Sequence, residues 1–312
     1  MMYDVVIIGA GPAGLTAGLY AGRSKLKTRI LEKHEAGGQV LLTELIENYP
    51  GVYQMNSFDW VEILKKQLKD LERVEMQEGA AVDKLEKIER GFRIHARRQA
   101  KGPAEILETR SVILAVGAKP RKLGVPGEER LIGKGVSFCA TCDGPLFKDK
   151  DVVLVGGGET ALEEAVYLSR FAKTVTILHR RCGLRASALM QERVAKERKI
   201  RLKLEFVPVE VLGSARVEGL KISHVEDRHI ETLPCDGIFV FIGFDPDTSF
   251  LGPDLVVENG YILTDEQMAT SLAGVFACGD CRKRPFNQVV TACSEGAIAA
   301  FYASRYLEQT SP

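Results

Sequence analysis

The chain has 312 residues, which is long for one compact core and sufficient for two domains, because single cores stop growing at about 250–300 residues. Apolar residues make up 45% of the chain and charged residues 27%, so collagen-like, coiled-coil and disordered classes are excluded. The 42 basic and 42 acidic side chains balance, no charge run indicates a nucleic-acid tail, and no apolar run of about 18 residues predicts a membrane span.

The N-terminal sequence MMYDVVIIGAG enters a strand pattern at once, which leaves no room for a signal peptide and predicts a cytoplasmic protein. Stable structural disulfides are rare in the cytoplasm. The seven cysteines are therefore expected to be buried thiols, metal ligands or redox groups.

The first predicted unit covers residues 4–32, which read as a strand, a glycine-rich turn, an amphipathic helix and a second strand. The turn carries the GxGxxG motif of dinucleotide-binding βαβ units at Gly9, Gly11 and Gly14. Its glycines turn the chain, admit a pyrophosphate to the backbone and bring helix close to strand. Glu32 ends the second strand, where a carboxylate accepts hydrogen bonds from an adenosine ribose, so this site is predicted to hold a nucleotide without a 2′-phosphate.

The next elements are a helix over Phe58–Leu71 and a strand over Val112–Ala115, and then the sequence CATCDG begins at Cys139. The pair Cys139 and Cys142 is compatible with half of a zinc site, a structural pair or a dithiol/disulfide couple. Zinc would need two more ligands, and the other CxxC spacing, Cys278 to Cys281, belongs to another motif. The redox interpretation is therefore favoured, with Asp143 either handling the proton or forming a turn before Gly144.

Residues 151–179 repeat the first unit and align with residues 4–32 without a gap. The second turn reads GxGxxA, at Gly156, Gly158 and Ala161. One glycine motif is weak evidence, but two copies in register across both flanking strands predict two nucleotide sites.

The end of the second repeat distinguishes the two sites. The position that matches Glu32 holds His179, and it is followed by Arg180, Arg181 and Arg185. A cationic group there pairs with a 2′-phosphate, so the second site is predicted to prefer NADPH to NADH. The alternative is a solvated basic strand end.

Two Gly/Pro-punctuated segments, 117–124 and 243–246, flank the second repeat, and further elements are a strand over Ile238–Phe241 and a helix over Gln288–Leu307. The predicted fold is α/β, with two Rossmann-like dinucleotide-binding domains of the three-layer ββα type, the second inserted into the first. The expected boundaries are 1–117 with 246–312 for the first domain and 118–245 for the second.

These motifs resemble the low-molecular-weight thioredoxin reductases of bacteria, class II of the pyridine nucleotide-disulfide oxidoreductases. The resemblance covers nearly the whole chain, through GAGPAGLTAGLYAGRS from Gly9, GGQ at Gly37–Gln39, ENYPG at Glu47–Gly51, CATCDG, GGGETALEEA from Gly156, HRRCGLRA from His179 and GVFACGD ending at Asp280. It implies FAD in the first site, NADPH in the second, thioredoxin as the partner and a homodimer, with no metal.

The resemblance also implies residues along each cofactor. Those expected to lie along FAD, besides Gly9, Gly11, Gly14 and Glu32, are Pro12, Ala13, Lys33, Gly38, Gln39, Asn48, Val82, Gly117, Asp280, Gln288 and Val289. Those expected to border the NADPH phosphates, besides the glycine turn and the arginines, are Glu159 and Thr160. A helix that starts near Gln288 would also aim its positive end at a reduced, anionic flavin.

The chain departs from the family's pattern at three places. Asn287 stands where an arginine commonly precedes the glutamine, Val116 replaces a threonine, and Cys278 and Cys281 bracket the Gly-Asp of the flavin motif. The missing arginine removes a cation near the flavin. We interpret the two extra cysteines as small buried apolar residues rather than as a second redox couple.

The positions of the motifs imply motion. The cysteine pair and the NADPH motif belong to the inserted domain, whereas both must reach a flavin held by the other domain, so we expect the inserted domain to rotate on its two connections. The resemblance makes Cys142 the flavin-proximal sulfur, Asp143 its proton donor and Cys139 the sulfur that attacks the partner. The alternatives are a same-fold reductase with another donor such as a ferredoxin, an oxidase of small dithiols, and a non-catalytic redox sensor or zinc-stabilised nucleotide-binding protein.

Overall fold

The structure of the protein is a computed structural model that describes residues 2–42, 45–46, 48–98 and 104–310. Glu47, the first residue of the ENYPG motif, lies outside the described residues. In chain order the strands and helices are β1 (Met2–Ile8), α1 (Pro12–Arg23), β2 (Thr28–Leu31), β3 (Leu45–Ile46), β4 (Met55–Asn56), α2 (Ser57–Lys69), β5 (Val74–Gln77), β6 (Ala80–Ile88), β7 (Gly91–Arg98), β8 (Ala104–Leu114), β9 (Ala118–Pro120), α3 (Glu128–Leu131), β10 (Val136–Ser137), α4 (Ala140–Asp143), β11 (Asp151–Gly156), α5 (Glu159–Leu168), β12 (Thr174–His179), α6 (Ala188–Lys196), β13 (Ile200–Leu204), β14 (Phe206–Leu212), β15 (Gly219–His224), β16 (Ile230–Pro234), β17 (Gly237–Phe241), β18 (Phe244–Pro246), β19 (Val257–Glu258), β20 (Tyr261–Ile262), β21 (Val275–Ala277) and α7 (Val289–Gln309).

The chain divides into two compact units. The first, unit 1, comprises Met1–Lys119 together with Asp245–Pro312, and the second, unit 2, comprises Pro120–Phe244. The breaks therefore fall at 119/120 and 244/245, beside the boundaries at 117/118 and 245/246 expected from the sequence. Both units contain parallel sheets covered by helices, which confirms the α/β class and the two Rossmann-like domains.

Unit 1 is organised around a sheet of order β5-β2-β1-β8-β7-β6, with β21 added to β8. The strands β5, β2, β1, β8 and β21 are parallel, whereas β6, β7 and β8 form an antiparallel meander. The long strand β8 belongs to both the parallel sheet and the antiparallel meander. One of its edges pairs with β7 near the start of the strand and with β21 near its end.

The alternation of side chains along β1 produces the three layers of unit 1. Val5 and Ile7 are buried in a core formed with α1, α2 and α7, whereas Val6 and Ile8 are buried against the β6–β8 meander. Because both faces of this strand are covered, its sequence is a continuous apolar run rather than an alternating one.

Unit 2 repeats this arrangement with a parallel sheet of order β10-β17-β11-β12-β13 and an antiparallel meander β14-β15-β16. On β11, Val152 and Leu154 face a core formed with α5 and α6, whereas Val153 and Val155 face the core that includes the meander. Both units therefore have the ββα layering that the sequence predicts.

The helices that the sequence predicts outside the repeats are confirmed within a few residues. The predicted helix over Phe58–Leu71 is α2, capped by the side chain of Asn56, and the predicted C-terminal helix is α7, which has a capping box formed by Gln288 and Thr291. The predicted strand over Ile238–Phe241 is β17, whereas the one over Val112–Ala115 corresponds only to the end of β8, which begins at Ala104 and ends at Leu114. Of the helices in the described ranges, none combines the length and apolar character needed to cross a bilayer.

Candidate active site

The glycine turn of unit 1 joins β1 to α1, and its three glycines have different constraints. Gly9 has a φ of +104°, and a Cβ there would lie 2.3 Å from the carbonyl oxygen of Ala115. A Cβ on Gly14 would lie 1.9 Å from the carbonyl oxygen of Gly9. A Cβ on Gly11, the N-cap of α1, would meet no atom within 4 Å. The open side of the turn is therefore at Gly11, next to the positive end of a helix, which fits a pyrophosphate.

Glu32 lies beside this turn at the end of β2. Its Oε2 accepts a hydrogen bond of 2.7 Å from the backbone N–H of Ala10, and its Oε1 accepts one of 2.9 Å from His34. The backbone N–H of Ala80, at the start of β6, donates to the carbonyl of Glu32 at 2.7 Å, and the same strand carries Val82 two residues later. A fixed carboxylate at this strand end is suited to a ribose that carries free hydroxyls.

The remaining candidate flavin residues reach the same end of the sheet from distant parts of the chain. Gly38 lies against the turn, because a Cβ on it would be 3.3 Å from Cα of Gly11. Gln39 donates through Nε2 to Oδ2 of Asp280 at 3.1 Å and to the carbonyl of Ala118. Together these contacts connect the GGQ motif to the Gly-Asp motif.

The start of α7 carries a second contact of this kind. The Nδ2 group of Asn48 donates to Oε1 of Gln288 at 3.0 Å, and Val289 is the first residue of the helix. The start of helix α1 also lies against the Gly-Asp motif. A Cβ on Gly279 would be 3.0 Å from Cβ of Ala13, the residue after Pro12.

Two further candidate residues of unit 1, Lys33 and Gly117, are near Asp247. The side chain of Lys33 is half exposed, and its Nζ lies 3.5 Å from Oδ2 of Asp247. Gly117 has a φ of +67° with open space at its Cβ position, and its carbonyl accepts from Asp247 at 3.5 Å. A backbone that a side chain would not obstruct leaves room for a ligand at Gly117.

The environment of Asp280 includes charged residues that the sequence did not single out. Burial raises the pKa of Asp280, and the guanidinium of Arg284 opposes that rise. Glu295 on α7 pairs with both Arg284 and Arg282. One signal was available in the sequence, because Glu295 is the lone acidic residue in the helical stretch VVTACSEGAIAAFYASRY.

In unit 2, Cys139 and Cys142 form a disulfide on the one-turn helix α4. The backbone N–H of Cys142 donates to Sγ of Cys139 at 3.2 Å, and Ser137 accepts from the N–H of Cys139 at 3.1 Å. Both cysteines are half-buried, and Ala140 packs in the same core as the helix α5 that starts at the second glycine turn. The disulfide is thus held rigidly on unit 2 while remaining partly accessible.

Asp143 is half-buried at the end of α4 and precedes the turn Gly144–Phe147. Its backbone N–H donates to the carbonyl of Cys139 at 3.1 Å, so it adjoins the disulfide. Within the described ranges, no cluster of three or more His, Cys, Asp or Glu residues could hold a metal ion.

The second glycine turn has the same division of roles as the first. A Cβ on Gly156 would lie 2.6 Å from the carbonyl oxygen of Phe241, whereas a Cβ on Gly158, the N-cap of α5, would meet no atom within 4 Å. Ala161 is buried behind the turn, and Thr160 is exposed at its helix end. The open position again lies at a helix N-terminus and fits a pyrophosphate.

The basic segment after β12 separates into a buried imidazole and exposed guanidinium groups. His179 is buried beneath the turn, because a Cβ on Gly157 would lie 2.3 Å from its Nδ1. Burial, with help from Arg185, Arg181 and Arg180, lowers the pKa of His179, so the ring is neutral near pH 7. The cationic groups available to a 2′-phosphate are therefore the three exposed arginines.

The segment that carries these arginines is attached to the glycine turn at two points. The backbone N–H of Arg185 donates to the carbonyl of Gly157 at 2.7 Å. Glu159 accepts from the backbone N–H of Ser187 at 2.6 Å and from its hydroxyl at 2.8 Å. These hydrogen bonds lower the pKa of Glu159, and they turn its carboxylate toward Ser187.

The two cysteines of the second CxxC spacing are not joined in a disulfide. Cys278 and Cys281 are free, fully buried thiols in unit 1. Burial raises the pKa of Cys278 well above its ordinary value and that of Cys281 to about 12. Thiols in this state are poor nucleophiles, as the interpretation of them as small apolar residues requires.

Each unit has a glycine turn that is open at a helix N-terminus, and unit 2 also carries a disulfide. These features together define the class of nucleotide-dependent disulfide oxidoreductases. The chain belongs to the pyridine nucleotide-disulphide oxidoreductase family, which it matches over residues 3–296. The family and its relatives imply a flavin and a pyridine nucleotide, and the two open glycine turns fit such groups.

Named relatives extend over nearly the whole chain. The thioredoxin reductase of Peptoclostridium litorale is 41% identical, covering 99% of this chain and 98% of the relative. That of Treponema pallidum is 41% identical, covering 98% and 97%. The crystal structure of thioredoxin reductase from Streptococcus pyogenes is 39% identical and superposes with a TM-score of 0.91, covering 99% of each chain.

Proposed function

We propose that this protein is a thioredoxin reductase that passes electrons from NADPH, through FAD and the Cys139–Cys142 disulfide, to thioredoxin. The observation that carries the proposal is that disulfide, which is anchored to the helix of a nucleotide turn. The relatives that are about 40% identical over their full length and are named thioredoxin reductases support it.

The assignment of FAD to unit 1 rests on Glu32, and that of NADPH to unit 2 rests on the exposed arginines. In this proposal Gly11, Glu32 and Asp280 hold FAD, with Gln39, Asn48 and Gln288 toward its flavin end. Arg180, Arg181 and Arg185 pair with the 2′-phosphate of NADPH, while Gly158 admits its pyrophosphate. His179 supports the turn from beneath rather than contributing a charge.

When bound, the nucleotide and the flavin supply the two electrons that open the disulfide. Cys142 is the flavin-proximal sulfur, and Asp143 gives its proton to the sulfur of Cys142 as the disulfide opens, which leaves Cys139 as the thiolate. The thiolate of Cys139, stabilised by the N–H of Cys142, attacks the partner disulfide and forms a mixed disulfide while one partner thiolate leaves. Cys142 then returns its proton to Asp143 and attacks Cys139, which releases the second partner thiolate, restores the internal disulfide and leaves the partner reduced.

This sequence of steps requires the units to move. The residues proposed for FAD all belong to unit 1, and the disulfide and the NADPH residues belong to unit 2. The nucleotide and the disulfide need the same flavin at different times, and Cys139 must afterwards meet a protein. We therefore retain rotation of unit 2 as part of the proposal.

The deciding experiment is an anaerobic titration of the flavin absorbance with NADPH and, separately, with NADH, followed by oxidised thioredoxin. We expect bleaching by NADPH at far lower concentration than by NADH, and recovery on addition of thioredoxin. The variant Cys142→Ser should bleach but should not recover with thioredoxin, because the internal disulfide cannot form. Recovery that is independent of Cys142 would contradict the proposed route.

One alternative keeps the fold and the disulfide but changes the electron donor to a one-electron carrier such as a ferredoxin. Asn287 keeps this alternative open, because the resemblance places an arginine there, whereas the basic cluster from His179 to Arg185 argues against it. A flavin that neither nucleotide bleaches, but that a reduced ferredoxin does, would establish this alternative. The homodimer and the cytoplasmic location stay predictions from the sequence, and sedimentation equilibrium checks the first.

A further inference from the structure

Four charged side chains form a cluster beside the start of α7. The guanidinium of Arg284 pairs with Asp280 through Nη2, and its Nη1 lies 3.2 Å from Oε2 of Glu295. Arg282 contacts the other oxygen of Glu295, with Nη1 at 2.6 Å from Oε1, and donates through Nε to the hydroxyl of Thr264 at 2.8 Å. Two positive and two negative groups therefore compensate one another.

The members of this cluster differ in their access to a ligand. The exposed fraction of the side chain is 3% for Arg284 and 11% for Glu295, but 23% for Asp280. Since Arg284 is covered by the protein itself, it does not contact a cofactor directly. Asp280 is the member of the cluster through which an effect of Arg284 would reach a ligand.

Arg284 also reaches the residue that precedes Gln288. Its Nε donates to Oδ1 of Asn287 at 2.8 Å, while its Nη2 holds Oδ1 of Asp280. A planar guanidinium has its donors in fixed directions, so these two contacts set the separation of Asp280 and Asn287. The other oxygen of Asp280 accepts from Gln39, and Gln288 accepts from Asn48, so the contacts continue on both sides.

We propose that Arg284 is a positioning residue for the flavin, which it serves by fixing Asp280 and the Asn287–Gln288 turn at the start of α7. The inference rests on the proposed FAD site, and it deepens that proposal by naming a residue that acts from outside the site. It also accounts for Asn287, because the cation expected at that position is present three residues earlier and is directed inward to hold the side chain of Asn287.

Arg282 provides a matched control, because its side chain is only 14% exposed and also pairs with Glu295, whereas none of its contacts given above involves Asp280 or Asn287. The experiment compares Arg284→Met with Arg282→Met after removal of the flavin. The quantities measured are the FAD dissociation constant, from flavin fluorescence, the visible circular dichroism of the bound flavin and the unfolding temperature of each apoprotein.

We expect both variants to lower the unfolding temperature of the apoprotein, because each leaves a buried carboxylate with one fewer partner. Only Arg284→Met should raise the FAD dissociation constant, by about tenfold or more, since it removes a charged hydrogen bond from Asp280. It should also alter the visible circular dichroism. Arg282→Met should stay within about threefold of the wild type. Arg284→Lys, which keeps the charge without the fork, should fall between Arg284→Met and the wild type.

The outcomes separate this inference from the function on which it rests. A wild-type protein that binds no FAD would overturn the proposed function. A wild-type protein that binds FAD, with equal dissociation constants for the two methionine variants, would overturn the role of Arg284 alone. If Arg284→Met does not fold, the comparison of Arg284→Lys with Arg282→Lys decides in the same way, because both keep the charge.

Discussion

A glycine in the two turns is required either by the packing of the protein or by the space that a ligand needs. The atoms that an added Cβ would meet distinguish the two cases. A Cβ on Gly11 meets open space, whereas a Cβ on Gly14 collides with the backbone of Gly9. We expect Gly11→Ala to leave the unfolding temperature of the apoprotein unchanged but to raise the FAD dissociation constant about tenfold or more, because the methyl group occupies the approach of the pyrophosphate. Gly14→Ala should instead destabilise the apoprotein. Calorimetry measures the unfolding temperature, and flavin fluorescence measures the FAD dissociation constant. Equal FAD affinity in Gly11→Ala and the wild type would show that the pyrophosphate does not bind at this turn.

Glu164 on α5 gives a prediction for the dependence of stability on pH. Burial, with repulsion from Glu163, raises its pKa from 4.5 to about 7, and its buried Oε2 has no hydrogen-bond partner among the described residues. The folded state thus binds this proton more tightly than the unfolded state between about pH 4.5 and pH 7. Stability contributed by the neutral form is present below pH 4.5 and falls as the pH rises through this window.

We therefore expect Glu164→Gln to raise the stability at pH 8 by about 1–2 kcal/mol, or at least about 2 °C in unfolding temperature, and to give no gain at pH 4.5. The exposed neighbour Glu163 provides the control variant Glu163→Gln, which should change stability by much less. A gain of equal size at both pH values would show that the carboxyl of Glu164 does not titrate in this range.

The sequence predicted individual residues where a backbone constraint dictates the residue type. The glycines of the turns and Glu32 could be recognised because only certain residues fit those positions. The cluster of Arg282, Arg284 and Glu295 could not, because its pairs form only after the Gly-Asp turn folds back on α7. His179 shows the same limit, since nothing in the sequence indicates that its ring lies beneath Gly157 while its neighbours are exposed.

At the scale of elements, the segment between β12 and α6 is held to the glycine turn by Ser187. This residue caps α6 through its hydroxyl, which accepts from Met190, and it also donates to Glu159. We expect Ser187→Ala to raise the NADPH dissociation constant severalfold and to leave that of NADH unchanged, because only NADPH uses the arginines of this segment. The loss of the cap alone costs about 1 kcal/mol.

Asn56→Ala supplies the control for Ser187→Ala, because it removes a helix cap of the same kind from α2 in unit 1. It should lower stability comparably without changing either nucleotide affinity. Titration calorimetry of both nucleotides measures the effect, and an equal loss of NADH affinity in Ser187→Ala would show that the attachment supports the turn as a whole rather than the choice of nucleotide.

Elements with a strong period were predictable, and short or half-exposed elements were not. The βαβ repeats, α2 and α7 were evident because apolar runs or helical spacing persist over many residues. The individual strands of the meander β14–β16 were not predicted, since β14 is partly buried at nearly every position and none of the residues of β16 is fully buried. The helix α4, which carries the disulfide, is too short to have a period at all.

At the scale of the whole molecule, the chain passes between the units twice, and Gly243 precedes the second passage. Its φ of +115° is unfavourable for other residues, although a Cβ there would meet no atom closer than 3.4 Å. We expect Gly243→Ala to lower the rate of thioredoxin reduction severalfold while leaving FAD and NADPH affinities within about twofold, because strain of about 1–2 kcal/mol alters the connection but neither site. Gly252→Ala, at an open position of unit 1 without positive φ, is the control. If Gly243→Ala and Gly252→Ala reduced thioredoxin at the same rate, the conformation of this connection would not control the motion of unit 2.

The division of unit 1 into two stretches of sequence has a consequence for synthesis on the ribosome. Unit 2 is continuous, so all its strands emerge before the chain returns to unit 1. Until β21 and α7 are translated, the end of β8 lacks one of its two neighbouring strands and α1 lacks the helix α7 that packs against it. The nascent protein therefore carries a finished inserted domain beside an incomplete one, and that incomplete domain is the part that chaperones would bind. Because Asp280 and Gln288, which we propose to contact FAD, follow unit 2 in the chain, we expect the flavin to be acquired only after unit 2 and these residues have been translated.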